Sequence, residues 1–390
     1  MHLSTQAEPP VWRISAFYFF YFASVGTLSP YWSLYLDWRG FSGADIGEMA
    51  AALAATKIFA PYVWGALADR TGARMGVVRI AAACALLAFS VVLVRTDYLG
   101  IFLAMLVYGF FWNANLPQFE ANTLTFLRDQ PQRYSKLRLW GSVGFIVAVM
   151  GIGWWARDAS PAFVPYVTLA WLVAIFAASL WVPEAPAQKT HTSSASLRGI
   201  VTQPAVLALF AACFLVQLGH GPYYAFYTLY LVAQGYSREL IGALWALGVV
   251  AEIGVFLLMP RWYVDWGARR LLLWALGLAV VRWTLIALFP NILAILIFAQ
   301  LLHAATFGVF HGVVIHIFHH FFYGPHQGRG QALYSSLSFG AGGAVGALYA
   351  GYLWDMGGGQ IIFGVAAVAS AVAWWIAYRG LVIAGNPAHP

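Results

Sequence analysis

The chain has 390 residues, of which 62% are hydrophobic, 17% aromatic and only 9% charged. Soluble globular domains run near half apolar and a quarter charged, so this composition excludes a soluble enzyme, a secreted disulfide scaffold and a nucleic-acid-binding domain. The formal net charge of +7 must have another origin, and at about 20 residues per span plus a loop the length accommodates roughly twelve membrane helices.

The apolar runs predict an all-α polytopic membrane protein. Its spans are expected over 12–36, 45–68, 75–94, 98–127, 138–156, 162–182, 204–232, 240–259, 270–289, 291–322, 331–354 and 360–379. Helices are the expected spanning element, because backbone groups need internal partners in lipid and nothing here alternates like a barrel strand. The first span follows MHLSTQAEPPVWR, which has no basic n-region or small-residue cleavage site, so it reads as a retained helix rather than a signal peptide. It carries an aromatic set, Tyr18, Tyr21, Tyr31, Trp32 and Tyr35.

Lys57 lies 12 residues into the second span, roughly 18 Å deep at about 1.5 Å per residue. The loop that follows reads Gly65-Ala-Leu67-Ala-Asp69-Arg70-Thr-Gly72-Ala-Arg74. Cys84 and Cys213 each sit inside an apolar run, which supports no disulfide framework. Span four brings Asn113, Asn115, Gln118 and, nearer its end, Glu120; Arg138 opens span five.

The longest polar interruption, 183–203, is rich in Pro, Ser and Thr and lies near the midpoint. It reads as a cytoplasmic linker between two six-helix bundles, 1–182 and 204–390. A shift of 195 residues supports that division. It matches Tyr35-Leu36 to Tyr230-Leu231, Gly40, Ser42, Ile46 and Gly47 to Gly235, Ser237, Ile241 and Gly242, and Gly72 and Arg74 to Gly267 and Arg269. A half-chain repeat is the expected mark of a transporter built from two related bundles.

In the second half, span seven carries Gln217, Tyr223, Tyr224 and Tyr227, and span eight carries Glu252, which the shift aligns with Lys57. Arg282 in span nine and His303 in span ten lie at about the same depth on the same arithmetic. Four ionisable groups at one level, Lys57, Glu252, Arg282 and His303, would form a polar layer where transporters place substrate sites. Salt bridges that lock helices together are the alternative. His311 follows His303 by eight residues, so the two are expected on one face. His316, His319 and His320 have metal-ligand spacing but no accompanying Cys or carboxylate, so metal binding is disfavoured. Span eleven offers close helix approach through Gly342/Gly346 and Ala347/Gly351.

Basic residues gather at one set of span ends, among them Arg13, Arg70, Arg74, Arg79, Arg128, Arg133, Lys136, Lys189, Arg269 and Arg379. Arg39, Arg95, Arg157 and Arg238 lie at the other. The positive-inside rule then places both termini in the cytoplasm, and the basic charge is a matter of topology.

The loop Gly65 to Arg74 resembles the signature loop of the major facilitator superfamily, and Asp265-Trp-Gly267-Ala-Arg269 resembles its degenerate second copy, at the place where that family carries one. With twelve spans and a central linker, the resemblance covers essentially the whole chain. Within the superfamily the chain is similar to the proton-symporter branch of lactose, nucleoside and phenylpropionate permeases. The phenylpropionate group fits best, on Pro30-Tyr-Trp-Ser-Leu-Tyr35, Asn115-Leu-Pro-Gln-Phe-Glu120, Leu139-Trp-Gly-Ser-Val-Gly144 and His303-Ala-Ala-Thr-Phe-Gly-Val-Phe-His311. The resemblance implies that Gly65, Asp69, Arg70, Gly72, Arg74, Asp265 and Arg269 form cytoplasmic gating loops. The Glu120–Arg138 pattern also occurs in the lactose-permease relatives. The chain departs in span ten, where the acidic coupling residue of those permeases has no counterpart and His303 and His311 stand instead.

The expected function is secondary active transport in the bacterial cytoplasmic (inner) membrane, by alternating access. The solute is a small organic molecule, with an aromatic carboxylate such as phenylpropionate as the leading class. The proton is the coupling ion, there is no cofactor, and a monomer is expected to suffice. Candidate solute or proton groups are Lys57, Glu120, Arg138, Glu252, Arg282, His303, His311, Tyr31, Trp32, Tyr35, Asn113, Asn115 and Tyr227. The alternatives are a sugar or nucleoside symporter, or an exporter or uniporter on the same fold. A membrane enzyme is disfavoured, since no serine–histidine pair, HExxH or phosphate loop appears, and the missing ATP motif disfavours a primary pump.

Overall fold

A computed structural model describes residues 10–156, 159–186 and 197–381. Residues 187–196 of the predicted linker 183–203, with Lys189, lie outside the described residues, as do Arg157 and the residues before Pro10. Nine helices among the described residues are long and apolar enough to cross a membrane. Two of them are broken by glycine. Gly267 has φ 72 and ψ 161, and Gly357–Gly358 leave helical geometry with φ 60 at Gly358. With these breaks and the first helix, the described chain comprises twelve membrane-length helices. They are α1 (Val11–Trp38), α2 (Gly43–Thr71), α3 (Arg74–Ser90), α4 (Tyr98–Phe126), α5 (Tyr134–Trp155), α6 (Val164–Trp181) and α7 (Pro204–Ala233). The remainder are α8 (238–266), α9 (268–288), α10 (Leu293–Phe321), α11 (327–356) and α12 (359–380).

Most boundaries agree with the hydropathy reading within a few residues; α8 does not. It runs seven residues past the expected end at 259, through Pro260, Arg261 and Asp265. Polarity there marks the end of the apolar run, whereas the helix ends only where Gly267 adopts a positive φ. Arg138 likewise lies one turn inside α5 instead of opening it.

The 195-residue repeat is conformational as well as sequential. Gly40 and Gly235 have φ 85 and 84, and Gly72 and Gly267 have φ 68 and 72. At the first pair the helix C-terminus closes identically: Phe41 N donates to Leu36 O (3.2 Å) and Tyr236 N to Leu231 O (3.1 Å), the six-to-one bond of a Schellman cap. Ser42 and Ser237 then cap α2 and α8, their hydroxyls accepting from Asp45 N (3.2 Å) and Leu240 N (3.3 Å). Asp97 caps α4, accepting from Gly100 N (2.9 Å) and from Arg95. The Arg95 guanidinium, with that amide, holds the Asp97 carboxyl well below the usual carboxylate range.

The described chain packs into two compact units that interleave along the sequence. Unit 1 comprises Met1–Leu28, Phe59–Ala148 and Ala162–Thr190; unit 2 comprises Ser29–Ile58, Val149–Pro161 and His191–Pro390. In unit 1, α1 lies against α5 through Gly26, where a Cβ would stand 2.6 Å from Phe145 O. Aromatic pairs join α1 to α4, with Phe17 on Phe119 at 3.7 Å and Tyr21 on Trp112 at 4.3 Å. In unit 2, α7 meets α11 backbone to backbone at Gly221 and Gly346, where no Cβ fits.

Candidate functional site

Glycines on α8 and α10 open the space in which the principal cluster of unit 2 forms. A Cβ at Gly248 would meet the His303 ring at 3.3 Å, and one at Gly308 would meet Glu252 at 3.0 Å. Each polar side chain thus fills the notch left by a glycine of the facing helix. His303 Nε2 and Glu252 Oε2 lie 3.9 Å apart, with side chains only 8% and 19% exposed. The segment Ala304–Val309 is π-helical, and Ser336–Gly342 in α11 is as well. Such bulges recur at functional sites, because the wider turn redirects the side chains around it. Here His303, Phe307 and His311 stack in a column, at 5.4 and 6.1 Å with interplanar angles of 8° and 9°. Beyond it, His311 Nδ1 is 3.0 Å from the Tyr334 hydroxyl.

Arg282 on α9 is fully buried beside this pair. Its guanidinium lies over the rings of Tyr223 (4.5 Å) and Trp283 (4.2 Å). It donates to Thr306 Oγ1 (3.1 Å) and Gln300 Oε1 (3.3 Å). Tyr223 also stacks on His303 at 5.5 Å and packs against Tyr227 at 5.0 Å, and its hydroxyl donates to Gln300 Oε1 (3.3 Å). Three of the four groups expected at one level are therefore neighbours. No hydrogen bond or ion pair joins Lys57 to them or to any other described residue. Gln300 and Trp283 escaped the sequence reading; the available signal was a buried amide three residues before His303 in an apolar run.

The remaining solute candidates divide by what already occupies their polar atoms. The Tyr31 hydroxyl donates to Val149 O (2.8 Å), so it ties α1 to the end of α5. Trp32 stacks on Tyr35 at 5.2 Å, and the Tyr35 hydroxyl accepts from Arg39 (3.2 Å). Asn113 is 7% exposed. Asn115 is fully buried, with its amide turned to its own helix at Phe111 O (3.3 Å) and Trp112 O (3.4 Å).

Unit 1 holds a second charged site. Arg138 Nε is 3.7 Å from Glu120 Oε1, both side chains about one-third exposed. Tyr134, another residue the sequence reading missed, donates to Glu120 Oε1 (3.1 Å). The Arg138 guanidinium sits 3.9 Å over the Phe22 ring.

The first signature loop is a network within unit 1. Arg74 pairs with Asp69 (3.0 Å) and donates to Gln118 Oε1 (3.1 Å), so Gln118 serves this loop. A Cβ at Gly65 would stand 3.6 Å from the Gln118 amide nitrogen, Gly72 makes the turn, and Arg70 is exposed. Glu184 accepts from the amides of Arg74 (2.9 Å) and Met75 (2.8 Å) at the start of α3. The second copy is wired differently. Arg269 donates to Leu381 O (2.9 Å) and Tyr378 O (2.7 Å), capping α12, while Asp265 is exposed and has no ion pair among the described residues. No group of three or more His, Cys, Asp and Glu among the described residues is placed to hold a metal ion.

A profile of the MFS_1 like family matches residues 11–365. The chain is 29% identical over 367 residues to a probable 3-phenylpropionic acid transporter of Escherichia coli (strain K12), covering 90% of this chain and 93% of that one. It is 25% identical over 361 residues to a maltose permease of Geobacillus stearothermophilus, covering 90% of each. Among solved structures, the nucleoside transporter NupG superposes with a TM-score of 0.80 at 16% identity, over 96% of this chain and 99% of that one. An auto-inhibited POT family peptide transporter superposes with a TM-score of 0.71 at 12% identity, over 97% and 98%. These two likenesses concern the fold.

Proposed function

We propose that this chain, which belongs to the MFS_1 like family, is a proton-coupled symporter importing a small aromatic carboxylate across a bacterial cytoplasmic membrane. Family membership and the relatives make it a secondary transporter and not an enzyme. The observation that carries the proposal is the buried Glu252–His303 pair. A carboxyl and an imidazole in ion-pair range can each take up and release a proton, and a charge so deep in a membrane helix normally serves a pathway or has a partner. Protonation changes the net charge of the cluster around Arg282, and coupling requires only that this change bias one conformation over the other. The aromatic-acid class is supported by the Escherichia coli relative and by the rings around Arg282. The maltose permease favours a second reading, a sugar symporter. Basic residues at one set of loop ends favour cytoplasmic termini.

The test is transport in proteoliposomes with an imposed inward proton gradient, using 3-phenylpropionate, maltose and uridine. Wild type is expected to accumulate 3-phenylpropionate only. Glu252→Gln is expected to abolish accumulation while retaining exchange. Accumulation of maltose instead would replace the substrate class, and uptake indifferent to the gradient would remove the proton.

A further inference from the structure

The fully buried Arg282 presents an imbalance that the fold does not resolve. No carboxylate lies within ion-pair distance of it among the described residues. A buried, unpaired charge is strongly destabilising, and the two aromatic faces beneath the guanidinium offset only part of that penalty. The hydrogen bonds around it leave donors of the guanidinium and its neighbours unmet. Gln300 Oε1 already accepts from both Arg282 and Tyr223, and Thr306 Oγ1 accepts from Arg282 while donating to His303 O (3.4 Å). Two donors of this group, Arg282 Nε and Gln300 Nε2, are buried without any acceptor, and so is the adjoining Trp283 Nε1. The guanidinium and the amide beside it therefore keep N–H groups that no acceptor of the fold satisfies.

We infer that Arg282 and Gln300 form the subsite for the carboxylate of the transported solute, with Tyr223 and Trp283 supplying the wall against its ring. The inference rests on the transport reading above and names the atoms that would recognise the solute. A planar guanidinium with a neighbouring amide donor matches a carboxylate, which only accepts hydrogen bonds. A single cation also suits a monoanion better than a phosphate dianion. Every residue of the subsite belongs to unit 2.

The test is equilibrium binding to the purified full-length protein without any proton gradient. The probes are 3-phenylpropionate and its uncharged isostere 3-phenylpropanamide, each also competed against the other. Wild type is expected to prefer the acid by about tenfold or more, the usual weight of a charge-assisted bond. Arg282→Gln is expected to bind acid and amide alike. Gln300→Glu, which supplies an internal carboxylate to Arg282, is expected to lose the acid and keep the amide; it serves as the readout should Arg282→Gln fail to fold. An acid preference that survives in either variant, or is missing in wild type, overturns the subsite. Gradient-driven accumulation with no role for Arg282 would leave the symport standing, whereas intact acid selectivity with gradient-independent flux would overturn only the proton coupling.

Discussion

A carboxylate that accepts from two successive backbone amides does the work of a helix cap. Glu184 does so for α3 from 110 residues away, meeting Arg74 N and Met75 N with separate oxygens. The first turn of a helix has amides with no internal partner and carries a partial positive charge, so a carboxylate satisfies both needs. Asn122 anchors the same segment, donating to Pro183 O (3.2 Å) and accepting from Ala185 N (2.8 Å). Glu184→Ala is expected to cost about 1 kcal/mol, as lost caps do, with Glu184→Gln recovering part of it. A lowered unfolding midpoint in detergent would register this; an unchanged midpoint would mean that water replaces the carboxylate at no cost. The residue was invisible in the sequence, where Pro-Glu-Ala-Pro reads as linker. Its role depends on a tertiary partner, whereas Asp69 and Arg74, also paired, stand only five residues apart within a readable motif.

At the scale of elements, α11 shows what the small residues are for. Gly342 and Gly346 lie against the α7 backbone at Phe214 O and Leu218 O, while Gly351 and Ala347 lie against Gly43 and Gly47 at the start of α2. One helix thus contacts two others at backbone distance, which membrane packing favours where apolar burial gives no drive. Gly346→Val is expected to destabilise the fold by about 1–3 kcal/mol through overpacking, whereas Gly364→Ala, with open space around its Cβ, should be neutral. Thermal unfolding of the two variants side by side decides this, and equal midpoints would contradict it. Helix number, most boundaries and the glycine stripe were legible because hydropathy and residue size act locally. The π-helical turns of α10 and α11 were not, since an i→i+5 bond leaves no mark in composition. The eight-residue spacing of His303 and His311 was read on ordinary helical geometry, but the stack through Phe307 forms across the widened turn.

For the whole molecule, the informative contacts are those that join early and late segments of the chain within unit 2. The Tyr31 hydroxyl holds Val149 O, Gly43 N donates to Asp355 Oδ1 (3.2 Å), and Tyr352 donates to Glu48. Arg238 donates to Ala156 O (3.1 Å) and to Ala159 O, at the end of α5. A cation in the first turn of α8 opposes the helix dipole, so its position is better explained by those carbonyls, where positive charge is favourable. Such contacts were beyond the sequence because they join residues 79 to 312 positions apart. These contacts are expected to belong to one state of a transport cycle and not to the other. Removing one therefore shifts the population toward the state that lacks it. Val149→Cys, in a background with Cys84→Ser and Cys213→Ala, places a near-isosteric probe at a fully buried position beside Tyr31. Adding Arg238→Gln is expected to raise its alkylation rate several-fold in membranes, in proportion to the shifted population. Equal rates with and without Arg238 would show that these bonds only fasten a loop, and that the two states of the carrier are separated by other contacts.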